Sequence, residues 1–168
     1  YGYYTNPSAI SSVALANIGT WTYSFSLSGS TLSGSVTTPT IATPFNFTAN
    51  YNIRQPLTLT NENGNTTTFT YDANGRVQTQ TLPGSGSNYS TYSYDARGNL
   101  LSAVMTPKSG SGLGTLTTSA TYPSSCTNLA TCNKPVTTTD SNSQVTNYFY
   151  NANGTPDYNY DAVSGLAY

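Results

Sequence analysis

The sequence predicts an all-β protein: tandem β-hairpin repeats of about 22–28 residues forming a continuous, spiralling or stacked antiparallel sheet. Three observations carry this. Aromatic residues that end rising strands recur at Phe25, Phe47, Tyr71, Tyr94, Tyr122 and Tyr150, spaced 22, 24, 23, 28 and 28 residues apart. All but Tyr122 have a second aromatic two residues earlier, the period that puts side chains on one sheet face. Thr, Ser and Asn number 30, 22 and 18 of 168 residues, a strand and turn vocabulary with little that favours helix.

Thr66 to Val77 shows the repeat most clearly. Thr67, Phe69 and Tyr71 alternate with Thr66, Thr68 and Thr70. Asn74-Gly75 follows, two residues that tolerate positive φ, and predicts a two-residue type I′ turn. Asp72 stands where its carboxylate can accept N–H bonds from that turn.

In chain order, Ser8 to Leu15 has the Ala and Leu content of a short helix. Val13 to Asn17 nevertheless aligns without gaps on Leu59 to Asn63, so it is read as strand. Four residues after the marker stand Gly29, Gly75, Gly98 and Gly154, with Tyr51 and Cys126 in the other two units. Turn-compatible residues such as Asn17, Pro39, Asn63, Gly114 and Asn142 lie eight before it. Two insertions, near 107–114 and 123–135, account for the longer late repeats. Neither resembles an interdomain linker, because the repeat resumes in phase, so residues 1–168 are expected to form one repeat domain.

Leu, Ile, Val and Phe make up only about a sixth of the chain, and 15 Tyr supply the missing apolar surface. The length would allow a sizeable core, and the Tyr71 and Tyr94 rings are expected to be largely buried. Charged residues are 7 % and net charge is −1, so no basic stripe exists for nucleic acid. No apolar run approaches a membrane span. A start at Tyr1, without Met or a signal-like segment, reads as a processed or excised piece.

Cys126 and Cys132 form an even pair in a Ser/Thr-rich, charge-poor chain, which suggests a disulfide and an oxidising compartment; two free buried thiols are the alternative. Zinc lacks His and further Cys ligands. With one Glu, five Asp and no His, the catalytic inventory is thin: no enzyme, no cofactor and no metal are expected. Trp21, Tyr23, Tyr89 and Tyr92 are candidates for glycan stacking, against the alternative that they belong to the packed aromatic face. The Asn-x-Ser/Thr sequences at Asn46, Asn65, Asn88 and Asn153 are acceptors only in a eukaryotic secretory route.

Tyr71 to Val77 and Tyr94 to Leu100 resemble the tyrosine–aspartate repeat of rearrangement-hotspot (Rhs) proteins. Thr138 to Tyr150 resembles the half-repeat that precedes such a motif. Phe25-Ser26 and Phe47-Thr48 lack the Asp, and Tyr150-Asn151 keeps only an amide. The resemblance implies a spiralling sheet, which in bacterial toxin complexes closes around a toxic domain and in teneurins supports adhesion. About six units are too few for closure, so an open sheet is expected.

The leading functional expectation is a structural, extracellular or cell-surface protein that assembles end to end into a filament through edge strands carrying Tyr1, Tyr3, Tyr4, Tyr158 and Tyr160. The alternatives are a segment of a toxin-encapsulating shell and an adhesion or glycan-binding module.

Overall fold

The computed structural model describes residues 2–3, 10–41, 43–84 and 88–161. Tyr1, Tyr4 and Ser8 lie outside the described residues, as do the side chains of Tyr3, Tyr158 and Tyr160. Backbone proximity divides the chain into two compact units, Tyr1–Ser87 and Asn88–Tyr168.

The first unit runs β1 (Gly2–Tyr3), β2 (Ile10–Leu15), β3 (Gly19–Ser28), β4 (Thr31–Thr37), β5 (Phe45–Asn50), β6 (Gln55–Thr60), β7 (Thr66–Tyr71) and β8 (Val77–Thr81). The second runs β9 (Tyr89–Tyr94), β10 (Leu100–Thr106), β11 (Leu116–Thr121), β12 (Thr137–Thr139), β13 (Val145–Tyr150) and β14 (Pro156–Asp161). Within each unit every strand pairs antiparallel with the next in chain order. The all-β, tandem-hairpin expectation holds, and the segment that mimics a helix, from Ile10 onward, is strand. The two insertions lie between β10 and β11 and between β11 and β12.

Because side chains alternate along a strand, register sorts the N-terminal unit into two chemically opposite faces. One row across the sheet is Phe25, Gly34, Phe47, Leu59 and Thr67. A row on the other face is Ser26, Ser33, Thr48, Thr58, Thr68 and Thr81, one hydroxyl from each of six strands. Hydroxyls on this face bond across strands: Ser24 to Ser35 at 2.6 Å, Thr48 to Thr58 at 2.7 Å and Thr60 to Thr66 at 2.8 Å. Such pairs contribute roughly 0.2–1 kcal/mol each. In the C-terminal unit Tyr92, Ala103 and Thr118 share one row, and Ser93, Ser102, Ser119 and Thr139 share one on the opposite face.

Gly34 lies where no side chain fits. The Phe25 and Phe47 rings meet over it at 6.2 Å between centroids, and a Cβ there would sit 2.5 Å from Phe47 Cε1. The rings fill the gap that the glycine leaves, so this residue is set by the phenylalanines on its flanks.

The expectation that the Tyr71 and Tyr94 rings are largely buried is corrected. Among the described residues the only buried apolar side chain is Cys132, at 3 % exposure. Tyr71 and Tyr94 are half-buried, and Phe25, Leu27 and Met105 are exposed. The reason is layering. Burial on both sides of a ring needs a second layer, and among the described residues the strands of each unit form a single sheet. Ladder hydrogen bonds, cross-strand pairs and turns therefore carry more of the stability than an enclosed core does.

Candidate functional site

The feature built most often is the turn. Asp72 Oδ1 accepts the N–H groups of Asn74 at 2.9 Å and Arg76 at 3.0 Å. The Gly75 N–H donates to the Asp72 carbonyl at 3.0 Å, and the Asp72 N–H donates to the Arg76 carbonyl at 2.9 Å. Gly75 alone takes positive φ, 75°, while Asn74 does not. This corrects the two-residue type I′ expectation. The loop has three residues, a type I turn followed by a left-handed residue. Asp at the first position satisfies the turn's N–H groups, and that decides the geometry.

The same bonds recur at Asp95, from the N–H groups of Arg97 and Asn99, and at Asp140, from those of Asn142 and Gln144. Amides do the same work at Asn61 and Asn151. Gly64, Gly98, Ser143 and Gly154 take the left-handed position in the four further turns, with φ of 76°, 91°, 65° and 78°. After three of these turns the register skips a residue: Tyr71 faces Val77 but Thr70 faces Thr79, with parallel skips beyond Tyr94 and Tyr150. The skip is a bulge that keeps Thr79 opposite Thr70, on the hydroxyl face.

A second device locks the hairpin to the segment that leads into it, strand β6 at Tyr71 and the stretch just before β12 at Tyr150. Tyr71 Oη donates to the Pro56 carbonyl at 2.6 Å, and Tyr150 Oη to the Pro135 carbonyl at 3.0 Å. Both acceptors lie fifteen residues before the tyrosine, and Pro107 stands at that spacing before Tyr122. This recurrent proline was the signal that strand alternation alone does not reveal. Burial raises the Tyr71 phenol above its ordinary range; for Tyr150 burial acts first, with Tyr148 and Tyr122 adding to it.

The structure places the remaining markers differently. Asn50 caps the turn after β5, with its Oδ1 accepting from the N–H groups of Asn52 and Ile53, so Ala49 rather than Phe47 occupies the position of Tyr71. Gly29 sits in a two-residue turn closed by Ser28 and Thr31, with φ of 58°. Phe25 and Phe47 are thus partners over Gly34 rather than turn residues. Trp21 and Tyr23 share a face of β3. Tyr89 and Tyr92, three apart on the unbroken stretch of β9 that pairs with β10, lie on opposite faces and do not form one platform.

Cys126 and Cys132 are joined by a disulfide with Cα atoms 4.8 Å apart. It closes a loop within the 122–136 excursion between β11 and β12.

Little of this arrangement can do acid–base chemistry. The Asp72 carboxyl is held below its usual range, first by the Arg76 N–H and then by the Arg76 side chain and the Asn74 N–H, against some desolvation. For Asp95 desolvation pushes upward, but the Asn99 amide, the N–H groups of Asn99 and Arg97 and the Arg97 charge outweigh it. Both carboxylates are committed to turns. An open groove of about 330 Å³ passes Ala103, Ala120 and Tyr122, with Asp140 at its border, whose Oδ1 already serves two N–H groups. Among the described residues no group of three His, Cys, Asp or Glu could hold a metal ion, and no helix is long and apolar enough to cross a membrane.

The depressed carboxyls set an acid limit. Their stabilising contribution is present above the unfolded-state pKa, about 3.9, and is lost as pH falls through the lower folded values. Melting temperature is therefore expected to fall below about pH 4. Asp72→Asn is expected to flatten that fall while keeping the turn, because Asn61 and Asn151 already make the same Oδ1 bonds. An unchanged acid profile in this variant would mean that Asp72 does not contribute to it.

The RHS Repeat family model matches residues 55–87 and 71–108, the stretch that carries the Tyr71-Asp72 and Tyr94-Asp95 turns. The resemblance read from those two motifs is to this family, and the stretch that matches it, residues 55–108, is about a third of the chain. No curated protein matches the chain.

Proposed function

We propose that this chain is a length of structural wall from a cell-surface or secreted Rhs-type protein, and that it encloses or supports rather than catalyses. The observation that carries this reading is the repeated turn-and-lock unit on a sheet with two unlike faces. Each hairpin leaves its rings only half covered, so it gains stability by having further hairpins beside it. A device that fixes five turns alike, joined at Tyr71 and Tyr150 by a bond back to the segment leading into the hairpin, suits a structure made by adding units. The carboxylates that could have served catalysis are instead caps for turns. The Cys126–Cys132 disulfide fits an oxidising compartment outside the cytosol.

A filament built by strand addition is the second reading, and one observation favours it. All the charged residues except Asp157 and Asp161 lie in turns and loops, so strands β1 to β13 carry none. Charged strand residues are a common guard against edge pairing, and here that guard is nearly absent.

Electron microscopy of the purified chain tests both. Curved open sheets are expected from the wall reading. Uniform unbranched filaments would replace it with the second. Material that stays monomeric at high concentration would overturn both.

A further inference from the structure

The excursion between β11 and β12 makes more bonds outward than a connecting loop requires. On one side Arg97 Nη2, in the β9–β10 turn, donates to the Pro123 carbonyl at 2.5 Å. On the other, Asn128 Nδ2 donates to the Ala152 carbonyl at 3.0 Å, and Lys134 Nζ donates to the Gly154 carbonyl. The Lys134 ammonium also lies 5.3 Å from the centre of the Tyr150 ring, within cation–π range. The Ala130 carbonyl presses so closely on Gly154 that it occupies the space of a Cβ there. The excursion thus spans successive hairpin turns, 95–99 and 151–155, at one end of the C-terminal unit.

One of the residues that bond to the 151–155 turn is held by the disulfide ring. Asn128 lies between the two cysteines. Its carbonyl accepts the N–H groups of Thr131 at 3.1 Å and Cys132 at 2.9 Å, and its Oδ1 accepts that of Ala130 at 2.9 Å. Closing the ring at Cys126 and Cys132 fixes this small knot and aims the Asn128 amide at the Ala152 carbonyl. The Cys132 residue is buried, whereas Cys126 is exposed to solvent.

We infer that the disulfide-closed excursion is a reductant-sensitive clasp that fastens the 151–155 turn to the rest of the C-terminal unit. A dithiol is the co-reactant. One of its thiolates attacks the exposed Cys126 sulfur, the bond between the cysteines breaks, and Cys132 leaves as a thiolate that takes up a proton. The second thiol of the reagent attacks the mixed disulfide and releases Cys126 as a thiol. Two electrons and two protons pass to the protein, and the reagent ends as its own disulfide. With the ring open, Asn128 and Ala130 lose their fixed places, and the turn loses its cover. Oxidation restores it. The clasp concerns how this unit is held together and does not depend on what the wall encloses.

Hydrogen exchange on the full chain, oxidised and in dithiothreitol, tests the inference. The amides of Asn153, Gly154 and Thr155 are expected to exchange about tenfold faster once the disulfide is reduced. Those of Asn142, Ser143 and Gln144, in a turn at the opposite end of the same strands, are expected to keep their rates. Equal rates at 153–155 in both states would overturn the clasp. So would uniform acceleration that includes 142–144, since the disulfide would then be a general staple. Asn128→Ala, with the disulfide intact, is expected to reproduce the local acceleration without reductant, and unchanged rates in that variant would also overturn it. Unreduced protein that already alkylates at both cysteines would remove the premise.

Discussion

Gly154→Ala is expected to destabilise the C-terminal unit by about 2–4 kcal/mol, from two costs at one site. The first is conformational. Gly154 has φ of 78°, and an alanine held in the left-handed region costs roughly 1–2 kcal/mol. The second is steric. A Cβ on Gly154 would overlap the Ala130 carbonyl, which is backbone and cannot swing aside like the end of a flexible side chain. Either the turn or the docked excursion must move, and movement loosens the Lys134 and Asn128 bonds to the turn. Gly75→Ala provides the contrast. Gly75 has nearly the same φ, 75°, but nothing lies within 4 Å of its absent Cβ. That variant should show the conformational cost alone, about 1–2 kcal/mol. Urea unfolding of each variant against the parent separates the two costs. If Gly154→Ala proves no worse than Gly75→Ala, the excursion does not press on the turn.

Much of this was legible in the residues, and what was missed has a common cause. Alternation at Thr67, Phe69 and Tyr71 gave strand, and the positions of Asp72 and Asp95 gave turn caps, because both depend on near neighbours in sequence. The turn type was misread because Asn74-Gly75 matches the strongest short hairpin signal. The better signal was the constant offset of three from cap to left-handed residue: Asp72 to Gly75, Asp140 to Ser143, Asn151 to Gly154. That offset does not extend to the second marker: Asn50 caps a longer turn whose left-handed residue, Arg54, stands four away, so nothing in it points from Phe47 to Ala49. The lock from tyrosine to proline carbonyl spans fifteen residues and leaves no local trace beyond the recurring proline. Absence of an enclosed core among the described residues was hidden for a different reason. The aromatic period fixes which face the rings share, but it carries no information on whether a second layer lies over that face.

That last point changes the size of the effect expected at Tyr71. An enclosed aromatic truncated to alanine costs about 3–5 kcal/mol. Tyr71 is only half-buried, so Tyr71→Ala is expected to cost about 2–3 kcal/mol, part from lost contact and part from the lost lock. Tyr71→Phe isolates the lock. It keeps the ring but leaves the Pro56 carbonyl without this donor, at a cost of about 0.5–1.5 kcal/mol. The two variants should therefore differ by one ring's packing, and chemical unfolding of each reads that difference. An alkaline limit gives an independent check. The folded state raises the Tyr71 pKa, because burial favours the neutral phenol that donates to Pro56. Its contribution is present below the unfolded pKa, about 10, and is lost as pH rises through the higher folded value. The parent should lose stability above about pH 10, and Tyr71→Phe, already without the donor, should lose less over the same range. Parallel stability curves for parent and Tyr71→Phe would mean that the hydroxyl bond is not what ties β7 to β6. The half-covered ring would then act by packing alone, and the spacing of fifteen from proline to tyrosine would need another explanation.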